Sequence, residues 1–172
     1  MATKQYTAAY REALARADTS NVMLDTLEIS TDFDITGLAP VYMVQAPDEY
    51  ELGLETGGTA VFEPIAFRFT LPGQNDQGVR SINIAIDNVD KRIGDWLDAV
   101  SSYDVLATVV WRPYLTSDLT MPQMDPPLRL TLSDIRRTAY EVTGRATVAD
   151  IVNLKFLRSL YLRSRFPSLG NT

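Results

Sequence analysis

The chain has no cysteine and no histidine among its 172 residues. The first absence removes disulfides, thiolate metal sites and thiol nucleophiles. The second removes the side chain that most often moves protons near neutral pH, and with it Ser-His-Asp and Cys-His catalysis. Basic residues are in deficit as well: 16 Lys and Arg against 22 Asp and Glu give a formal charge of -6. A general nucleic-acid binder needs a basic face to neutralise phosphates, so this balance argues against one. Long apolar runs are also missing. The opening MATKQYTAAYREALARA has no uninterrupted apolar region of signal-peptide length, and no later run is long enough to cross a bilayer. A soluble product made in the cytoplasm is expected.

What is present is a hydrophobic content of 45%, enough for one ordinary domain with a real core. The most informative stretch is SINIAIDNVDKRIGDWLDAV, Ser81 to Val100. Ile82, Ile84 and Ile86 alternate with polar or small residues at the two-residue period of a half-buried strand. From Ile93 the spacing changes to Ile93, Trp96, Leu97 and Val100, one face of a helix over about 90–101, with Asn88 or Asp90 as its cap. Trp96 at that spacing reads as core.

A second, N-terminal helix is expected over Lys4 to Ala17, with Tyr6, Ala9, Tyr10, Ala13, Leu14 and Ala17 on one face. Most of the rest reads as strand. Val22 to Ser30 alternates imperfectly, which suggests a bulge near Thr26. Val41–Ala46 and Tyr50–Leu54 flank Pro47-Asp48 and read as a hairpin. Gly57-Gly58 marks the next turn, before the strand Val61–Leu71, in which Pro64 belongs at an edge or bulge. The polar loop Pro72–Arg80 then returns the chain antiparallel into the isoleucine strand. Val105–Arg112 is apolar on both faces, as in a central strand. Leu128, Leu130 and Leu132 resume the alternation, and a last strand or pair is expected around a turn at Thr143–Arg145. The fold class is therefore mainly β, an antiparallel sandwich or barrel with two helices.

Motifs that could carry chemistry are weak. Asp32-Phe-Asp34-Ile-Thr36-Gly37 opens like a calcium loop, but Met43 stands where the closing bidentate glutamate belongs. GLETGG at Gly53–Gly58 lacks the Gly-Lys-Ser/Thr ending of a phosphate loop. A glycosidase needs only two carboxylates, and Glu49, Glu51, Glu55, Glu63, Asp87 and Asp90 form the available pool. No aromatic sugar platform is interleaved with them, so a solvated acidic surface is the expectation. No catalytic residue, metal ligand or cofactor site is assigned.

Two features point instead to contact surfaces. Pro113, Met121, Pro122, Met124, Pro126 and Pro127 fall in a long irregular segment that follows Trp111, and excursions of this kind are often functional or wrapped on a neighbour. The stretch 153–172 carries Lys155, Arg158, Arg163 and Arg165 and no acid. Taking those 4 basic residues from the total of 16 leaves 12 against 22 acids in residues 1–152, a net of -10. The chain thus divides into a single β-rich domain, 1–152, and a basic apolar arm, 153–172, suited to lying across another subunit. Trp111, Pro113, Met121, Met124, Phe156, Arg158, Tyr161, Arg163, Arg165 and Phe166 are the candidate interface residues.

The motifs VFEPIAFRFTLPGQNDQGVRSINIAIDNVDKRI, TVVWRPYL and NLKFLRSLYLRSRFPSL together resemble a family of tailed-bacteriophage minor tail proteins of formerly unassigned function, encoded between the tape-measure and tail-tip hub genes. The resemblance runs from about Val22 to Leu169. It implies a virion structural protein without enzymatic activity, close in role to a distal tail protein. It also implies a tail-tube-like fold, assembled as a hexameric ring. The partners so implied are further copies of itself, the tail tube protein, the tail-tip hub protein and the tape-measure protein, with DNA passing through the lumen unbound. The readings left beside it are a tail assembly factor absent from the mature virion and a carbohydrate-binding tail module.

Overall fold

The computed structural model describes residues 5–16, 21–31, 37–69, 81–87, 91–103 and 105–147. In chain order the elements are β1 (Gln5–Tyr6), α1 (Ala8–Arg16), β2 (Met23–Thr31), β3 (Val41–Val44), β4 (Tyr50–Gly53), β5 (Thr59–Pro64), β6 (Phe67–Phe69), β7 (Ser81–Asp87), α2 (Arg92–Ser102), β8 (Ala107–Leu115), β9 (Met124–Asp125), β10 (Leu128–Arg137) and β11 (Glu141–Thr147). The fold is mainly β, as the alternations predict. Nine strands form one mixed sheet in the order β4-β5-β3-β2-β8-β10-β11-β7-β6, and β1 pairs with β9 beside it.

The middle of the sheet is β8, whose nine residues are all buried. It runs antiparallel to β2 on one side and β10 on the other. Residues directly opposite in a ladder share a face, so the registers define an inner layer. Leu27 and Ile29 oppose Trp111 and Val109, which in turn oppose Leu128 and Leu130. Ile82, Ile84 and Ile86 extend this layer through Ala146, Gly144 and Val142, and Phe67 and Phe69 continue it opposite Ile86 and Ile84. These side chains and the apolar face of α2 (Ile93, Trp96, Leu97, Val100) make up the main core.

The sheet must be rolled. β5 and β6 lie seven steps apart in strand order, which on a flat sheet is about 34 Å at ~4.8 Å per strand. Yet only Ile65 and Ala66 join Pro64 to Phe67, a link that spans about 11 Å at most. The two ends of the sheet are therefore brought together covalently, although no ladder joins them. The same curling sets the Phe69 ring edge-on to Trp111 at 5.6 Å, across four strand steps. Helix α2 fills the interior. Its Trp96 indole N–H donates to the Ala39 carbonyl at 2.8 Å, Arg92 pairs with Glu63 at 2.5 Å, and Arg137 pairs with Asp98.

Several expectations need correction. The stretches 41–46 and 50–54 do not pair. β5 takes the place beside both, parallel to β3 and antiparallel to β4, so the hairpin is β4–β5 around Gly57 and Gly58, at φ 88° and 83°. No bulge occurs at Thr26, which pairs in register with both Val44 and Arg112. The alternation of β2 is blurred because both its faces are covered. The strand expected over 61–71 breaks at Ile65-Ala66, the link that closes the roll. Thr143–Arg145 is the middle of β11 and not a turn; the chain reverses at Thr138–Tyr140, where Thr138 receives the Glu141 amide. Gly144 sits tightly there, since a Cβ would lie 2.8 Å from Leu132 Cδ1. The first helix begins at Ala8, with Tyr6 in a strand. Lys91 precedes α2 in a left-handed conformation without a side-chain cap, so neither Asn88 nor Asp90 occupies the cap position. The segment 32–36, the loop 70–80, residues 88–90 and the arm 153–172 lie outside the described residues.

The β4–β5 hairpin packs on the reverse face of the sheet. Phe62, Leu52, Val44, Leu24 and Tyr114 form a second core there, with the Tyr114 hydroxyl donating to the Gly53 carbonyl at 2.8 Å. Gly53 itself admits nothing larger, because a Cβ would fall 1.9 Å from the Thr120 carbonyl oxygen. Backbone cannot yield as a side-chain tip can. Gly53→Ala should therefore destabilise by about 3 kcal/mol, the upper part of the range for overpacking, whereas Gly144→Ala should cost less because a leucine tip can move. Urea denaturation midpoints of the two variants provide the comparison.

Candidate interaction surface

Where the second core meets the sheet, two charges are buried and a third, Glu55, lies half-buried beside them. Arg112 projects from β8 and is only 2% exposed. Its Nη1 lies 2.6 Å from Glu28 Oε2 on β2, and its Nε and Nη2 donate to the two Glu55 oxygens at 2.7 and 2.9 Å. Arg129 approaches Glu55 at 3.5 Å from the solvent side. A planar guanidinium suits this bidentate grip on one carboxylate while an edge nitrogen reaches the other. Burial raises the Glu55 carboxyl, but the Arg112 hydrogen bonds and charge outweigh it and hold the group below its ordinary range. The Arg112 guanidinium is held above its own, burial opposing and the two carboxylates prevailing. Every charge in the cluster is matched by its neighbours, so the arrangement ties the β4–β5 turn to the sheet and offers no free base or nucleophile.

Asp25 lies on the inner face, register partner to Pro113. It accepts from the Trp111 indole N–H at 3.0 Å. Burial pushes its carboxyl up, the indole hydrogen bond partly offsetting this. Burial, reinforced by the Asp25 charge and by Tyr6, also pushes the Tyr10 phenol up to about 12. Tyr10 and Tyr6 stack at 5.1 Å, and Tyr10 and Ala13 seat α1 on Leu115.

The irregular segment after β8 proves to be well anchored on its own chain. Pro113 continues the strand without losing a ladder donor: its carbonyl accepts from the Gln123 amide at 2.7 Å, on the side where β10 has already ended. Gln123 is 3% exposed, with its side-chain oxygen taking the Thr7 hydroxyl at 2.5 Å. Pro122, Met124 and Pro127 are buried with it. Trp111, Pro113 and Met124 are thus used inside the core of their own subunit and present no surface. Of the interface candidates among the described residues only Met121, 55% exposed, remains outside. Phe156, Arg158, Tyr161, Arg163, Arg165 and Phe166 lie outside the described residues. Other exposed apolar side chains include Val61, Leu106, Ile135 and Tyr140.

Among the described residues no group of three or more His, Cys, Asp or Glu could hold a metal ion. Of the carboxylates considered from sequence, Glu55 is tied to Arg112 and Glu63 to Arg92, while Glu49, Glu51 and Asp87 are exposed. The outer face of β6, β7, β10 and β11 carries a shallow groove of about 750 Å³ lined by Arg68, Asn83, Ile135, Arg136, Thr143 and Arg145. Glu28, Asp25 and Arg112 were not singled out from sequence. The available signal was a charge inside a strand whose neighbours on both sides are apolar, as in VVWRPYL and MLDTLEIST.

Two outcomes follow from these ionisations. Replacing Arg112 with Met leaves Glu28 and Glu55 without their partner, and loss of about 3–5 kcal/mol is expected, as for other broken buried pairs; the double replacement of Arg112 and Glu28 by apolar residues should cost less. Asp25→Asn keeps an acceptor for Trp111 but removes a carboxylate whose pKa is raised on folding. A raised folded pKa means stability that is present at low pH and lost as pH rises through it. The variant should therefore melt higher than wild type at pH 7, with the advantage vanishing in acid where Asp25 is protonated. Thermal melts across pH 3–8 test this.

No curated protein matches the chain in sequence. A family model described as a domain of unknown function, DUF1833, matches residues 9–161, which take in every strand from β2 to β11 and both helices apart from the first residue of α1. The chain belongs to the DUF1833 family.

Proposed function

We propose that this protein is a structural component of a long, non-contractile phage tail: a distal-tail-like adaptor that forms a ring joining the tail tube to the hub at the tail tip. The reading rests on where the resemblance falls. The block from Val61 to Ile93 is the segment that closes the roll, running through β5, the two-residue link, β6 and β7 to the start of α2. A rolled sheet with a helix packed inside is a rigid body that can be repeated around an axis. A ring needs two different complementary surfaces on each copy, because its contacts are head to tail.

The charged groups support the same reading. Among the described residues Glu28 and Glu55 are paired with Arg112 and Asp25 accepts from the Trp111 indole, so these carboxylates serve the fold and the reading is one of contacts. The basic arm, 153–172, offers residues of the kind that anchor interfaces, aromatic and arginine side chains together. In this role DNA passes through a lumen whose acidic surroundings repel it.

Mass spectrometry of purified virions, with the subunit labelled in images of the tail, decides the matter. The expected result is a fixed copy number at the tail tip; absence from the finished particle would overturn the proposal in favour of an assembly factor. Removing residues 153–172 should leave a folded monomer with an unchanged melting transition that no longer assembles into tails. Wholesale unfolding of that variant would show instead that the arm belongs to its own core.

A further inference from the structure

Two exposed surfaces of the rolled sheet carry opposite charge. On the outer face of β10 and β11, a register shift between Ser133 and Arg136 places an extra residue in β10, with Asp134 at φ 51°. Without it Arg136 would fall on the inner face; with it Arg136 opposes Thr143 and joins Arg145 on the outer face. The bulge also leaves Ile135 42% exposed on the wall of the groove. Arg68 in the same groove is already paired with Glu141 at 2.6 Å, and Asp134 is the one acid among the lining residues. Arg136 and Arg145 make no ion pair with any described residue, although acids outnumber bases in the chain by 22 to 16.

The β4–β5 hairpin turns the reverse set toward solvent. Glu49 and Glu51 are exposed, and Val61, cross-strand partner of Glu51, is 53% exposed. An apolar side chain flanked by two carboxylates on the hairpin thus matches an apolar side chain flanked by two arginines in the groove.

We propose that the groove of Arg136, Arg145 and Ile135 receives the Glu49, Glu51 and Val61 face of the β4–β5 hairpin of a second copy, so that copies join head to tail. The contact deepens the ring assembly proposed above and rests on it. The occupant is argued from charge: two arginines disfavour a basic segment such as 153–172, whereas a second acidic copy presents exposed carboxylates of the right sign. Such a contact is screened by salt and can be repaired by exchanging the charges.

The test is sedimentation of the purified full chain at about 50 mM and about 500 mM salt, conditions that shorten the screening length several-fold. Wild type should associate more weakly at high salt. The double variants Arg136→Glu/Arg145→Glu and Glu49→Arg/Glu51→Arg should each lose about tenfold or more in self-association, equivalent to about 1.4 kcal/mol. Mixed with each other they should co-assemble in alternation, although neither associates alone, since each groove then meets a hairpin of opposite charge. The fourfold exchange should restore association to near the wild-type level. Val61→Asp, a surface change, should weaken it as well while leaving the melting transition in place. Reversals without effect, a fourfold exchange that fails to restore, or a wild-type chain monomeric at all concentrations would each overturn the contact. If the reversals change nothing but removal of 153–172 abolishes association, the arm is the connector. Virion mass spectrometry reads the ring role separately: subunits found at the tail tip in the reversal variants would sink this contact and leave that role standing.

Discussion

Covalent continuity between Pro64 and Phe67 is the constraint on which the rest of the structure depends. Two residues cannot span a flat nine-stranded sheet, so the chain folds only if the sheet curls until its ends approach. Curling has a consequence for every element. It makes one face of all the central strands converge, so that isoleucines of β7, leucines of β10 and the tryptophan of β8 meet in a single core. It also leaves an interior that side chains alone do not fill. Helix α2, with Trp96 reaching across to Ala39, supplies the missing volume. Unfilled, that space would be a cavity at a cost that grows with its size.

The reverse face obeys a different rule. Only the part beneath the β4–β5 hairpin is dry, and it is there that Arg112, Glu28 and Glu55 are enclosed. A buried ionic cluster adds little net stability, because desolvation offsets most of the attraction. What it fixes is position: the turn that carries Glu55 must dock where Arg112 can grip both oxygens, and a shifted register would strand a charge. The remainder of that face, from β10 to β6, stays wet and carries the arginine-lined groove. One sheet thus has a greasy inside, a locked patch and a solvated outside, set by which strand neighbours lie above each residue.

Local patterns were legible where only one face is buried or where a turn demands a special residue. Ile82, Ile84 and Ile86 mark β7, the spacing from Ile93 to Val100 marks α2, and Gly57-Gly58 marks a hairpin turn. Pairing partners were less legible. Val41–Ala46 and Tyr50–Leu54 look like a hairpin because hairpins join neighbours in sequence, yet β5 intervenes with one parallel and one antiparallel ladder. Gly144 looked like a turn glycine and proves to be a packing glycine beneath Leu132. Trp111 reads as a contact residue beside the proline segment, and curling puts Phe69 against it in the core. For the candidate surface, the acidic hairpin was visible as a run of carboxylates, but Arg136 and Arg145 could be placed together only once the bulge at Asp134 was known.

By itself the sequence determined which chemistry is closed to this protein, since thiol and imidazole groups are lacking whatever the fold. It also determined the mainly β class and the positions of most strands, because side-chain alternation is a local property of a half-buried backbone. Strand order, the roll, the burial of Arg112 and the joining of Arg136 and Arg145 on one face were decided by tertiary structure alone. The physical reason is distance along the chain: each depends on residues such as Glu28, Glu55 and Arg112 that are far apart in sequence and adjacent only after the sheet has closed on itself.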